Sequence, residues 1–147
     1  MAGPPLISPD VRAKLEAARV ARLSTLDAEG TPHLVPICFV FDGTLFYSAI
    51  DRKPKRVSAD QLARIRNIER MPQVALLVDH YDEDWSRLWY VLVRGKAEIL
   101  SAGAEWHRAI EQLKAKYPQY AADMLADDAP VLRITPERVT SWGKTRS

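Results

Sequence analysis

Val20-Ala21-Arg22-Leu23-Ser24-Thr25-Leu26, Asp27-Ala28-Glu29-Gly30, His33-Leu34-Val35-Pro36-Ile37-Cys38-Phe39-Val40-Phe41, Asp42-Gly43 and Thr44-Leu45-Phe46-Tyr47-Ser48-Ala49 stand in that order in the first third of the chain. The first segment alternates apolar and polar residues, the period of a strand with one buried face. Asp27–Gly30 is made of turn residues. Asp-Gly between two apolar runs is a strong short-range hairpin signal. The expectation is three consecutive antiparallel strands joined by tight turns, a meander.

On the N-terminal side, Ser8-Pro9-Asp10 reads as a helix start. Ser8 can cap, Pro9 suits the first turn and Asp10 favours the dipole. Val11, Leu15 and Ala18 follow at helical spacing. On the other side, a polar loop over 51–60 leads to a helix over 61–70 with Leu62, Ile65 and Ile68 on one face, ended by Pro72. Val74–Val78 reads as a buried strand and Leu88–Leu100 as a long strand bent or bulged near Gly95. Ala102–Lys116 is a helix, Tyr117–Met124 continues as a short one, and Val131–Ile134 with Val139–Trp142 make a last strand or pair. About six antiparallel strands in so short a chain expose edges unless they close, so a barrel flanked by helices is expected. The class is mainly β with helices (α+β), in one domain over 1–147.

Composition removes several function classes. A chain of 147 residues with 47% hydrophobic residues fits one domain with a real core. A formal charge of +2 gives no global argument for nucleic acid. The lone Cys38 excludes an internal disulfide and fits a reducing compartment; within its apolar run it reads as a buried thiol. The first ten residues lack a secretory pattern and no apolar run approaches the length of a membrane span, so the expected location is cytoplasmic, with no membrane partner. His33, His80 and His107 show no metal-ligand spacing with each other or with Cys38. Walker and dinucleotide glycine patterns are missing, and no Ser/His/Asp or Cys/His arrangement is evident. A ligand site without an obvious acid, base or nucleophile is what a cofactor-dependent protein needs, because the cofactor carries the chemistry. No catalytic residue and no metal ligand is therefore named.

Two segments carry binding chemistry. Arg52-Lys53-Pro54-Lys55-Arg56 follows a strand, and Arg64, Arg66 and Arg70 add charge on the next helix. Such groups pair with phosphate or carboxylate, and Pro54 stiffens the loop. A solvated basic loop is the plain alternative. Further on, Asp79–Trp85 with Trp89 and Tyr90 joins acids to large aromatics. The aromatics can stack on a planar heterocycle or bury in a core or subunit interface. The acids oppose a nucleic-acid partner.

These segments, in their order, resemble the pyridoxamine 5′-phosphate oxidase-like split barrels, and within them the F-420-dependent (deazaflavin) group. The resemblance rests on Val20–Thr25 with Gly30–His33, on Tyr47–Lys55, on Leu62–Pro72, and on Leu76–Trp85 with Trp89. It implies a six-stranded antiparallel split β-barrel like that of FMN-binding proteins, working as a homodimer with the cofactor between subunits. Carried over by position, Lys53 and Lys55 hold the cofactor phosphate. Ser48, Ala49 and Ile50 line the ribityl chain and ring edge, while His33, Val35 and Pro36 lie along the ring. Arg64 and Asn67 support the clamp, and Trp85, Trp89 and Tyr90 come from the partner subunit. Arg52 and Arg56 can meet the glutamates of the deazaflavin tail. The implied activity is hydride transfer from reduced coenzyme F-420 to a small organic substrate, with solvent or Tyr47 as proton source. The alternatives are an FMN-dependent enzyme of the same fold and a non-catalytic flavin, deazaflavin or haem binder. The C-terminal arginine-and-histidine stretch of the pyridoxamine oxidases themselves is missing, which argues against vitamin B6 chemistry.

Overall fold

The computed structural model describes residues 6–50, 59–120, 125–126 and 128–143, with 59–61 through their backbone only. Helix α1 (Pro9–Ala17) starts where the capping residues place it: the Ser8 hydroxyl accepts the Val11 N–H at 3.3 Å. Strands β1 (Ala21–Leu26), β2 (Pro32–Ile37), β3 (Val40–Phe41) and β4 (Phe46–Ala49) follow. Helix α2 (Ala59–Arg70), β5 (Gln73–His80), β6 (Trp89–Leu100), α3 (Ala104–Lys116) and β7 (Val131–Gly143) complete the described elements. A short 3₁₀ turn, Trp85–Arg87, precedes β6. The second short helix expected over 117–124 lies partly outside the described residues.

All ladders are antiparallel, in a sheet of seven strands ordered β2-β1-β5-β6-β7-β4-β3. Two expectations are corrected. Among the described residues the strands number seven, not six. The first three segments are not a meander: β2 pairs with β1 at one end of the sheet, while β3 and β4 pair beside β7 at the other. The cause is a break at Cys38–Phe39. There the Phe39 N–H donates to the Tyr117 hydroxyl at 3.1 Å and the Phe39 carbonyl accepts from Lys116 Nζ at 2.9 Å. The Ser48 hydroxyl donates to the Cys38 carbonyl at 2.7 Å. Backbone groups satisfied this way have no need of a strand partner. The turn after β3 is also longer than Asp-Gly implies. It runs from Asp42 to Leu45, and Asp42 Oδ1 accepts from the Thr44 and Leu45 N–H groups at 2.8 and 2.7 Å.

The sheet buries one face. Ala21, Leu23, Leu76, Val78, Val91, Val93, Leu132 and Ile134 meet Phe39, Phe41 and Phe46 in one core, which α1 and α2 join through Leu15 and Ile68. Residues from both ends of the strand order share it, so the sheet curls around it. A second core forms where α3 packs Trp106, Ile110 and Leu113 on Val40, Tyr47 and Val131. No described helix is long and apolar enough to cross a membrane.

Candidate functional site

Strand parity sorts the sequence-selected residues into groups. On β1, Thr25 faces inward and pairs with His33 of β2. Asn67 of α2 is buried beside them, and its amide donates to the Thr25 hydroxyl at 3.0 Å. Arg64, one turn earlier on α2, is 8% exposed. The structure therefore ties Asn67 to the β1–β2 hairpin that carries His33. Val35 packs partly buried against the main core, and Pro36 is exposed on the outer face.

Ser48 and Ala49 end β4, Ile50 follows directly, and all three are buried. The Ile50 N–H donates to the Pro130 carbonyl at 2.8 Å. Ala49 belongs to the α3 core and Ile50 to the main core. Arg52, Lys53, Pro54, Lys55 and Arg56 lie outside the described residues, directly after this strand end.

The aromatics gather at the opposite end of the sheet. His80 faces Trp89 across the β5–β6 ladder, and Tyr90 faces Trp142 across β6–β7. Each pair is nearly parallel, with rings 6.1 Å apart and tilted by 19° and 20°. These rings, with Leu77 and Tyr81, line an open hollow of about 430 Å³. The Lys14 ammonium sits 4.9 Å from the Trp89 ring centre. Trp142 is 53% exposed and Trp85 70%. Trp89 and Tyr90 thus share a site, while Trp85 projects from the adjacent 3₁₀ turn and does not line the hollow. Trp142, Tyr81 and His80 were missed as site residues. The signal for Trp142 was parity: in one continuous strand, Trp142 falls on the outer face with Thr140 and Arg138.

The titratable groups point the same way. The Tyr47 hydroxyl donates to Glu105 Oε2 at 2.7 Å, and Arg133 bridges Glu105 and Glu98, at 2.7 Å each. Burial, then that bond to Glu105, pushes the Tyr47 phenol above its ordinary range. The bond from Tyr47, and then Arg133, holds Glu105 below the usual carboxylate range. Tyr47 is committed to this network within the α3 core, away from the aromatic hollow. Among the described residues no cluster has the make-up of a metal site. The arrangement offers flat apolar surface for a planar ligand, edged by Asp79 and by His80, whose Nε2 lies 3.7 Å from Asp82 Oδ2.

Comparison with known proteins agrees with this fold. The chain is 29% identical over 133 residues to a 5a,11a-dehydrotetracycline/5a,11a-dehydrooxytetracycline reductase of Streptomyces rimosus, covering 88% of this chain and 78% of the relative. Among solved structures, an F-420 reductase superposes with a TM-score of 0.64 at 25% identity, over 88% of this chain and 94% of that one. HutZ, a haem storage protein of Vibrio cholerae, superposes with a TM-score of 0.71 at 19% identity, over 94% of each chain. The family profile described as pyridoxamine 5′-phosphate oxidase matches residues 7–143, nearly the whole sequence, and the chain belongs to that family.

Proposed function

We propose that this protein is an oxidoreductase that uses reduced coenzyme F-420 to reduce a small organic substrate. The observation that carries this reading is the similarity, along most of both chains, to a reductase of a polycyclic substrate and to an F-420 reductase. The described residues suit a planar ring cofactor: two near-parallel aromatic pairs border a mostly apolar hollow. When bound, the reduced deazaflavin supplies the hydride. The protein's share is to hold and orient. Lys53 and Lys55 bind the phosphate, and Arg52 and Arg56 meet the tail carboxylates. Ser48, Ala49 and Ile50 present a rigid strand end, while Asn67 fixes α2 on β1. Trp89 and Tyr90, at the opposite end of the sheet within one chain, reach the ligand from the second subunit of a dimer and, with Trp142 beside them, keep water from one of its faces.

The proposal includes a two-fold dimer in the cytoplasm. Outer-face residues such as Leu34, at 66% exposed, and Trp142, at 53%, are large apolar side chains that a second copy would cover.

The test is titration with F-420, FMN and haem, read by absorbance and fluorescence, with the mass of the retained ligand. F-420 should bind most tightly at low salt, its lead over FMN narrowing as salt screens the tail carboxylates. Replacing Lys53 and Lys55 by Ala should weaken binding by several kcal/mol in total, at about 1.5–3 kcal/mol per charged hydrogen bond. Tighter FMN binding at every salt concentration makes this a flavin enzyme. Tight haem binding without reductase activity makes it a binding protein.

A further inference from the structure

Arg19, which precedes β1, and Lys116, which ends α3, converge on one ring. The Arg19 guanidinium carbon lies 4.6 Å from the centre of Tyr117, and Lys116 Nζ lies 5.4 Å from it. Arg19 also donates to the Lys116 carbonyl at 2.9 Å, and the Tyr117 hydroxyl donates to the Arg19 carbonyl at 2.9 Å. Lys116 Nζ is oriented by the Phe39 carbonyl, to which it donates at 2.9 Å, and sits 4.2 Å from the centre of the Phe39 ring. Phe39 belongs to the main core and Tyr117 to the α3 core, so this half-buried amine stands where the two cores meet. Among the described residues neither cation has a carboxylate within ion-pair distance. Glu16, which pairs with Arg12, and Cys38 are the other titratable groups that act on Lys116. Burial disfavours an ammonium, and so does a second cation beside it. These two effects, burial first, pull the Lys116 ammonium down. Near neutral pH it therefore holds roughly a hundredfold more unprotonated amine than an exposed lysine does.

We propose that Lys116 is a carbamylation site, where the amine at the end of α3 takes up carbon dioxide and Arg19 holds the product. Neutral Nζ attacks the carbon of carbon dioxide. A C–N bond forms, one C=O pair moves onto oxygen, and a nitrogen proton leaves to water, giving R–NH–COO⁻ and H⁺. The step needs no oxidant and no leaving group, and the electrophile is small enough for an amine half-covered by two rings. The carbamate nitrogen keeps one N–H for the Phe39 carbonyl. Ring faces are negative and repel an anion, which leaves Arg19 as the partner of the new carboxylate. A repulsion between two cations thus becomes an ion pair with a guanidinium, whose fork fits a carboxylate. The cluster shares no residue with the aromatic hollow, so the inference holds whichever cofactor the protein takes.

The probe is isotopically labelled bicarbonate in equilibrium with carbon dioxide. The carbon NMR spectrum should gain a carbamate resonance beside that of bicarbonate, and the resonance should vanish when carbon dioxide is removed. Trapping by O-alkylation followed by peptide mass mapping separates Lys116 from the α-amino group of the chain. It should find the adduct on Lys116 at roughly ten times the level on the exposed Lys96 or more. Lys116→Arg should lose the resonance. Arg19→Gln should lower the yield by about tenfold, the loss of one charge-assisted contact, with the far-UV dichroism unchanged because Arg19 is exposed. The proposal is overturned if the parent carries no trapped adduct on Lys116, or carries no more there than on Lys96. It is also overturned if folded Arg19→Gln gives the full yield, because the guanidinium then holds nothing.

Discussion

Asn67 joins two elements with a single side chain. It is 3% exposed, donates to Thr25 at 3.0 Å, and its carbonyl oxygen lies 3.4 Å from an Arg70 nitrogen. Asn67→Leu leaves the buried Thr25 hydroxyl without this donor and should cost about 1–3 kcal/mol. Thr25→Val should cost less in the Asn67→Leu background than in the parent, and denaturant melts of the cycle measure the coupling. Lys116 gives a second residue-scale prediction. Burial, followed by the nearby Arg19, pushes its ammonium down to about 8. The unfolded chain holds that proton up to its ordinary value of about 10.4, so between these pH values it binds more protons than the folded chain. Stability from this group is therefore gained as pH rises through that window. The parent should gain stability relative to Lys116→Met from pH 8 upward, and the Lys116 Nζ resonance should titrate near 8; a midpoint near 10 would refute it. Asn67 was singled out only through the family resemblance, as a support for the basic loop, and its bond to Thr25 was not legible in the sequence. Lys116 was not, because its environment comes from Phe39 and Arg19, which the fold brings to it from far along the chain.

Elements with unmixed local signals were readable, and those under tertiary control were not. The cap at Ser8, the alternation of β1 and the apolar run of β5 placed α1 and both strands closely. The bulge at Gly95 was equally visible, as a glycine inside a long strand pattern. The run His33–Phe41 deceived: its apolar residues read as one strand, but they serve β2, a break held by Tyr117 and Lys116, and β3. Those partners lie more than 70 residues away, and no local pattern encodes them. The strand end at Ala49 was readable, whereas its pairing with β7 depended on that break. Gly95→Ala tests the bulge at this scale. The added methyl meets the Thr135 carbonyl and the Pro136 backbone, neither of which is a flexible side chain. A loss of about 1–3 kcal/mol is expected, as for an overpacked core. It should come with amide shifts spread along β6 and β7; a neutral substitution would mean that the ladder slides to the unbulged register.

At the scale of the molecule, the distribution of apolar surface is the outstanding feature. The inner sheet face is closed by two cores, yet the outer face keeps Leu34, Tyr90 and Trp142 open to solvent, with Tyr81 and Trp85 beside them. Leu77 and Leu92 lie half-buried between these, facing each other across β5 and β6. Half-covered leucines flanked by exposed tryptophan and tyrosine have the make-up of an interface core, where aromatics are enriched. A two-fold dimer covers the same patch on both copies, so one substitution acts twice. Light scattering at micromolar concentration should give twice the 16.6 kDa chain mass. Leu34→Asp with Trp142→Glu should return 16.6 kDa while leaving the far-UV dichroism unchanged, because both side chains are largely exposed in the single chain. Cofactor affinity separates two roles for the patch. If the pocket is shared, the monomeric variant should lose affinity, and the parent should lose it on dilution below its dimer dissociation constant. Affinity retained in the monomer would place the whole pocket within one chain. A parent that is monomeric at micromolar concentration would remove the dimer and the shared pocket together.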